Sequence, residues 1–428
     1  MPAAKLALCN LILMAGKSNI LIVGDYNRKD YLDLFKACRN DFNFYFLEYA
    51  FPKEVTSDYY LTYGKAIFWG DFSDAYTLLD EISPKKVIFF YIEAYNHVAL
   101  NLACKEKDIP TFHMEHGLRA DYVPGSDPAI RQPPAPGYGK RFQKLFHFAA
   151  SLKARIRNRL FLLNSIKKFS PEDAAFVKHF ISIRRTHTFA ATARKITSPK
   201  RQARFHISFS PNIFAVHQHN DILPPDQKVY FTGVPYFDHL AHVKATPTTS
   251  RAILLIDQPL AEHGLLKWDK KYKADFVHIL TRICRQYNYK LYVKPHPRQD
   301  LEIWRQAQQL SLCYMIDDKQ LGELTPTIPL VLGFYSTYLM PFASFKHTTL
   351  ITYENHPAGG FLVSRPFVEA GVAHPIYDLQ ELHAILPDIA QLHQQQLPNK
   401  IKFTEAWMYK FDGKSGERLR EILLRNDL

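Results

Sequence analysis

Along the first third of the chain, short apolar runs alternate with stretches whose apolar residues recur every three or four positions. SNILIVGDY (18–26), FNFYFLEYA (42–50), KAIFWGD (65–71) and KKVIFFYIE (85–93) are short and apolar throughout, and read as strands. Between them YLDLFKACRN (31–40), DAYTLLDEIS (74–83) and HVALNLACKEKD (97–108) carry helical spacing, and TFHMEHG (111–117) follows as a further strand end. Strands with no polar face need cover on both sides, so the alternation predicts a parallel sheet between helical layers. A second alternation starts at RAILLIDQP (251–259). It continues with a helix over 271–286, the strand YKLYVKP (289–295), TIPLVLGFYST (327–337) as a strand running into a helix, and the strand KHTTLITYE (346–354). KVYFTGVPYFD (228–238) reads as a strand and turn before the junction, and the tail from 380 is mostly helical. The expected fold class is α/β, with two Rossmann-like lobes over 1–245 and 246–428 facing a central cleft, the last helix crossing back to the first lobe. No GxGxxG follows the first strand, so a dinucleotide-binding half is not expected.

Charge changes this picture in one place. The chain carries a formal +13, yet residues 131–204 hold 18 Lys and Arg against only Glu172 and Asp173. That block explains the whole excess. Its core, KRFQKLFHFAASLKARIRNRLFLLNSIKKF (140–169), spaces its apolar residues as a helix does. It follows a proline-rich loop over 121–145. A basic amphipathic helix suits an anionic membrane surface or an acidic glycan, and otherwise serves as a solvated face. No zinc finger, helix-turn-helix or RNA-recognition motif accompanies it, so a nucleic-acid partner is not expected.

The remaining composition bounds the location. Five cysteines without a CxxC pair read as reduced thiols of a cytoplasmic protein. No apolar run reaches the roughly 18–20 residues of a spanning helix. The opening MPAAKLALCNLILMAGKSN resembles a signal peptide weakly and leads straight into the first strand. A cytoplasmic protein, peripheral on the inner membrane through 140–169, is the expectation.

Candidate chemistry gathers where strands end. In YVKPHPRQD (292–300) Pro295 lacks an N–H and takes the chain out of the sheet after Lys294. His296 then stands at a carboxyl end, constrained by Pro297 and flanked by the cations Lys294 and Arg298. An imidazole so placed suits a phosphate oxygen. In GFYSTYL (333–339), Ser336 or Thr337 is a good helix N-cap, and a helix N-terminus is itself a phosphate site. DQPLAEHG (257–264) places Gln258 and Glu262 where they could touch a ribose or base. In HMEHGLR (113–119), Glu115 or His116 is a candidate general base for an acceptor hydroxyl, with Arg119 just beyond. Asp25 and Glu93 also follow strands and are assigned to the acceptor side. No DxD element or His/Cys cluster with ligand spacing is evident, so neither a metal nor a cofactor is expected.

The succession of strand-QPL-E-G, K-P-H-P and a hydroxyl pair resembles bacterial sialyltransferases of the GT-B type, above all capsular polysialyltransferases and lipooligosaccharide sialyltransferases. The resemblance covers roughly residues 110–340. It implies a GT-B fold and a CMP-sugar donor substrate. In that family an acidic-acidic-Gly motif carries the base, while a His-Pro motif and a Ser pair hold the CMP phosphate. The matching positions are Glu115-His116-Gly117, His296-Pro297 and Ser336-Thr337, with His116 and Thr337 departing from the pattern. The implied activity is inverting, metal-independent transfer of sialic acid or a related nonulosonic acid to a cell-surface, anionic or membrane-linked glycan. His-Pro also occurs in transferases that use CMP-Kdo, and EHGLR with TGVPYFD resembles UDP-sugar epimerases, so both remain alternatives.

Overall fold

The computed structural model of the protein describes residues 16–117, 138–246 and 251–427. The opening apolar run over 1–15, Arg119 and most of the proline-rich loop therefore lie outside the described residues. The described chain divides into two units. The first holds the residues up to His116, those from 138 to Asp238 and those from Lys414 on, and the second holds His239–Gly413.

The first unit is built on seven parallel strands: β1 (Ser18–Val23), β2 (Phe42–Leu47), β3 (Gly64–Ile67), β4 (Lys86–Phe89), β5 (Thr111–Met114), β6 (Phe205–Ser208) and β7 (Val229–Phe231). Their order across the sheet is β3-β2-β1-β4-β5-β6-β7. Leu21, Val23, Val87 and Phe89 face helices Ala75–Ile82 and Tyr95–Glu106, meeting Leu78, Leu79, Val98 and Leu102 in one core. Removing this apolar surface from water is the main force joining the layers.

The second unit repeats the plan. It contains β8 (Ala252–Ile256), β9 (Lys290–Lys294), β10 (Tyr314–Met315), β11 (Leu330–Gly333) and β12 (Thr349–Tyr353). A small antiparallel hairpin, β13 (Asn355–His356) and β14 (Gly359–Gly360), precedes β15 (His374–Ile376). The six-stranded sheet has the order β10-β9-β8-β11-β12-β15, and all its pairs are parallel. Ile253, Leu255, Leu291 and Val293 pack against Phe276, Val277 and Leu280 of helix Lys270–Gln286.

Several elements differ from the sequence reading. The stretch 31–40 forms only the helix Lys29–Asp33 and a 3₁₀ turn, Lys36–Cys38. The Phe35 and Cys38 N–H groups bond to carbonyls three residues back (2.9 and 3.0 Å), which tightens the winding. The long basic helix starts at Tyr138, so residues 138–145 are helical rather than loop. Pro136 is the last proline before it, and nothing beyond interrupts the hydrogen bonding. The strand β6, FHIS, ends the segment that read as a basic insertion. Its buried His206 and Ser208 had hidden it from a search for apolar runs.

Gly24, at φ +156°, ends β1 where Phe90 follows β4. A Cβ on Gly24 would stand 2.6 Å from Phe90 Cδ2. Gly24→Ala is therefore expected to destabilise the protein by about 1–3 kcal/mol, by forcing that ring out of its packing. Urea denaturation measures this, and an unchanged midpoint would show that the ring yields freely.

Candidate active site

In both sheets the strand order reverses once, between β1 and β4 and between β8 and β11. Ligands of open parallel sheets bind beyond the carboxyl ends of the strands at such a point.

In the second unit β8 ends at Asp257, which is 7% exposed. Burial pushes its carboxyl upward, opposed by the charge of Lys273 and by hydrogen bonds. Trp304 Nε1 donates to Oδ2 at 2.6 Å, and the Gln258 N–H donates to Oδ1 at 2.8 Å. Gln299 Nε2 also donates to Asp257 Oδ2, and to Gln258 O at 3.2 Å. The other end of Gln299 holds the His296 loop, its Oε1 accepting from the His296 N–H at 2.9 Å. The Arg298 N–H donates to His296 Nδ1 at 3.1 Å. That bond needs a lone pair on Nδ1, so the ring proton sits on Nε2 and the exposed imidazole presents an N–H donor. Pro297 and Arg298 complete this exposed turn.

The other residues expected on the donor side fall around it. Lys294 closes β9, and its Nζ pairs with Asp318 at 3.1 Å, which partly neutralises it. Glu262 Oε1 receives Lys273 Nζ at 2.7 Å and the Asp300 N–H at 3.0 Å, so this carboxylate braces the turn from behind. Gln258 Nε2 donates to the carbonyl of Tyr335, tying the end of β8 to the residue before Ser336. Ser336 is an N-cap, its Oγ accepting from the Tyr338 N–H at 3.2 Å. The element it caps is a 3₁₀ turn, Thr337–Leu339, leading into the five-residue helix Met340–Ser344. The helix expected here is thus replaced by a turn. Pro341 has no N–H to bond back to Thr337, so α-helical bonding cannot start at the hydroxyl pair. A macrodipole of useful length is missing, and the chemistry available is that of the hydroxyls and nearby N–H groups.

In the first unit β5 ends in Glu115 and His116. Glu115 is 2% exposed and its N–H bonds to Ile207 O at 2.8 Å. Its Oε2 forms an ion pair with His217 Nε2, and His217 Nδ1 meets Asp221 Oδ2 at 3.4 Å. His217 lies on helix Pro211–Asn220, and Asp221 is its C-cap. The result is a buried carboxylate–imidazole–carboxylate row. Burial pushes the Glu115 carboxyl up, but the charge and hydrogen bond of His217 outweigh it and hold it below its usual range. His113 and His206, opposite each other on β5 and β6, lie near this row with ring centroids 5.0 Å apart and planes tilted by 40°. His113 lies 5.7 Å from the ring of His217.

His116 is half-buried. Its ring rests against Tyr31 (4.8 Å) and Phe90 (6.0 Å). Burial, opposed by Glu115 and aided by Arg28, pushes its pKa down to about 4. Its Nδ1 is buried without a hydrogen-bond partner. Beyond β1, the half-buried Asp25 accepts from Tyr49 Oη at 2.5 Å and from the Asn27 N–H at 3.2 Å. Glu93 is half-buried beyond β4.

Sequence reasoning missed Asp257, Gln299, Trp304, His217 and Asp221. The i, i+4 spacing of His217 and Asp221 was the only local signal, and any polar helix face shows such spacings.

Two parallel sheets of this order, with polar groups collected at their switch points, are the architecture of a GT-B glycosyltransferase. A variant of the wall teichoic acid polymerase TagF shares it, with a TM-score of 0.52 and 10% identity over 96% of this chain and 89% of that one. The glycotransferase of kitacinnamycin gives 0.49 and 10% over 95% and 98% of the two chains. Methanocaldococcus jannaschii UDP-GlcNAc 2-epimerase gives 0.48 and 13% over 95% and 99%. At such identities the likeness is one of fold alone. No curated protein matches the chain. The model of the alpha-2,8-polysialyltransferase (POLYST) family matches residues 73–355, about two thirds of the chain, and the chain belongs to that family. It is a glycosyltransferase, as the resemblance implied. The matched stretch contains Glu115, His116, His217, His296 and Ser336, while Asp25 lies before it.

The imidazoles yield a test of stability against pH. Burial pushes His113 down to about 3 and His116 to about 4, and lowers His206 well below its ordinary value. In the unfolded chain histidines titrate near about 6.5. Below that pH the unfolded state binds more protons than the native one, so stability is full above it and falls as pH drops toward 4. Urea midpoints at pH 7, 5.5 and 4.5 should decline in that order, less steeply in His113→Gln. Equal slopes would assign the acid lability elsewhere.

Proposed function

We propose that the protein transfers sialic acid or a related nonulosonic acid from a CMP-sugar to a hydroxyl of a cell-surface glycan, with inversion and without a metal ion. The observation that carries this reading is the turn from His296 to Gln299, which holds the exposed His296 ring at the end of β9 with its Nδ1 accepting from the Arg298 N–H. A single N–H of defined direction suits a phosphate oxygen better than it suits a neutral sugar. The family's membership supports a sialic acid donor and a polysaccharide product.

On the donor side, the bond between the anomeric carbon and the phosphate oxygen breaks, and CMP leaves with the electron pair. His296 Nε2–H donates to the phosphate oxygen that gains charge. Ser336 spends a lone pair on the Tyr338 N–H, which leaves its own hydrogen as a second donor, and Thr337 supplies another hydroxyl. Asp257, through Gln299, keeps the turn in place while this happens. Lys294 and Arg298 add positive field. These groups account for the leaving-group charge without a metal ion.

On the acceptor side, His116 is assigned as the base. With a pKa pushed down to about 4, its ring is neutral at physiological pH and has a lone pair to offer. Glu115 stays ionised in its pair with His217 and stabilises the imidazolium that forms. It is a positioning residue here, since its enclosure keeps it from an acceptor. Asp25 and Glu93 are assigned to the acceptor side, as carboxylates that follow β1 and β4. The acceptor is taken to be membrane-linked, which puts the protein at the inner face of the cytoplasmic membrane.

A thermal-shift series with CMP, CDP, UMP and UDP tests the donor. CMP at about 100 times its Kd should add roughly 2.7 kcal/mol of stability, and the effect should vanish in His296→Ala. Stabilisation by UDP alone would favour the epimerase-like alternative. In transfer assays His296→Ala or Ser336→Ala should slow turnover roughly 100- to 1000-fold. His116→Ala should slow it roughly 100- to 10,000-fold. A wild-type rate abolished by EDTA and restored by Mg²⁺ would overturn the metal-free scheme.

The pH profile separates the two candidate bases. Protonation of His116 removes its lone pair, so the acid limb of kcat/KM should fall near its lowered pKa of about 4, with full activity above. Loss of that limb in Glu115→Gln, with His116→Ala retaining it, would move the base to Glu115.

A further inference from the structure

Over residues 152–168 the helix Tyr138–Lys168 carries apolar side chains on two faces, one buried against the protein and one exposed. Ala154, Phe161, Leu162 and Ser165 are buried on the inner face. Phe161 meets Trp69 edge-on at 5.1 Å, and Ser165 Oγ accepts from the Ala75 N–H at 2.9 Å. Lys168 pairs with Asp74 at 2.7 Å. These contacts hold the helix by its inner face, and at the rim Lys153 Nζ lies 5.3 Å from the Phe51 ring centroid.

On that outer side stand Leu152, Ile156, Leu160 and Leu163, exposed by 46, 50, 46 and 43%. At 3.6 residues per turn these four fall within an arc of about 80°. Lys153 and Arg157 follow on one side of the arc and Arg155 and Arg159 on the other, all exposed. No acidic side chain occurs between residues 131 and 171 to offset them. A scattered exposed leucine needs no explanation, but four in one row, rimmed on both sides by cations, form a surface of defined chemistry.

We propose that this row lies in the surface of a bilayer rich in anionic lipids, with the leucines entering the acyl boundary and the cations meeting lipid phosphates. This deepens the reading of a membrane-linked acceptor and rests on it. Large aliphatic side chains have no use against a nucleic acid or a free acidic glycan, which need polar and cationic contacts alone. Cations rimming apolar side chains match the order of layers in a lipid leaflet, phosphates outside and acyl chains within. The attraction is expected to weaken as salt screens the lipid charge.

Co-sedimentation with vesicles tests this. The full chain should bind phosphatidylcholine vesicles containing phosphatidylglycerol at least about tenfold more tightly than phosphatidylcholine alone, and less tightly as NaCl rises. Ile156→Asp combined with Leu160→Asp should weaken binding by about tenfold or more with an unchanged thermal midpoint. Arg157→Ala with Arg159→Ala, on the rim alone, should reduce the preference for anionic vesicles and guards against a folding defect in the first variant. Absent wild-type binding, or equal binding by both variants, would overturn the proposal. So would a dimer that the aspartate variant converts to monomer, since the row would then join two copies. Transfer to a soluble oligosaccharide reports on the catalytic reading separately, and both variants should retain it.

Discussion

A parallel strand covered on both faces cannot carry polar side chains along its length without leaving them unpaired, and this constraint arranges the whole molecule. KVIF in β4, AILLI in β8 and LVLG in β11 are buried at every position. Lys86 opens β4 and its Nζ donates to the Arg425 carbonyl, and the other polar groups follow the strands, at Asp257 after β8 and at Ser336 after β11. Because all strands of a sheet point the same way, those ends gather on one edge. The single reversal of strand order then sends flanking helices to opposite faces and opens room there. Most of the chemistry collects at that edge, and polar side chains within a strand, such as His113 and His206, stand opposite one another.

The two units handle a buried carboxylate in opposite ways. Asp257 is enclosed among neutral donors, with Lys273 acting from a distance, and burial pushes its carboxyl up. Glu115 is enclosed equally, yet the directly paired His217 holds its carboxyl low. Desolvating an ion costs several kcal/mol, so whether the charge survives depends on a partner at contact distance. The consequence differs in kind. Asp257 works through hydrogen bonds, passing order by way of Gln299 to the exposed His296. Glu115 keeps its charge, which acts on the neighbouring His116 against the effect of burial.

The long basic helix shows the same principle outside the sheets. Its inner face is set by Phe161, Leu162 and Ser165 against the first unit, and that leaves Leu152, Ile156, Leu160 and Leu163 outward. The net excess of positive charge and an uncovered aliphatic row therefore coincide on one element. Among the described residues no helix is long and apolar enough to cross a membrane.

Much of this was legible before any coordinates. Uniform apolar runs fixed most strands, because a doubly covered strand has no other composition available. Pro295 and Pro297 announced a turn at His296, since proline's missing N–H and fixed φ act locally. The basic block announced an amphipathic helix for the same local reason. What stayed hidden depended on residues distant in the chain. β6 was invisible because His206 and Ser208 become acceptable inside a sheet only when particular neighbours, such as His113, stand opposite. The hydroxyl pair read as a helix start, and Pro341 decided otherwise through a bond it could not make. Glu115 and His116 were indistinguishable as bases in sequence. Tertiary packing gives them different surroundings, because it brings His217 from about 100 residues away to enclose the carboxylate and leaves the next imidazole half in reach of solvent. Periodicity and backbone chemistry are properties of neighbouring residues, whereas the charge state of a buried group belongs to whatever the fold places beside it.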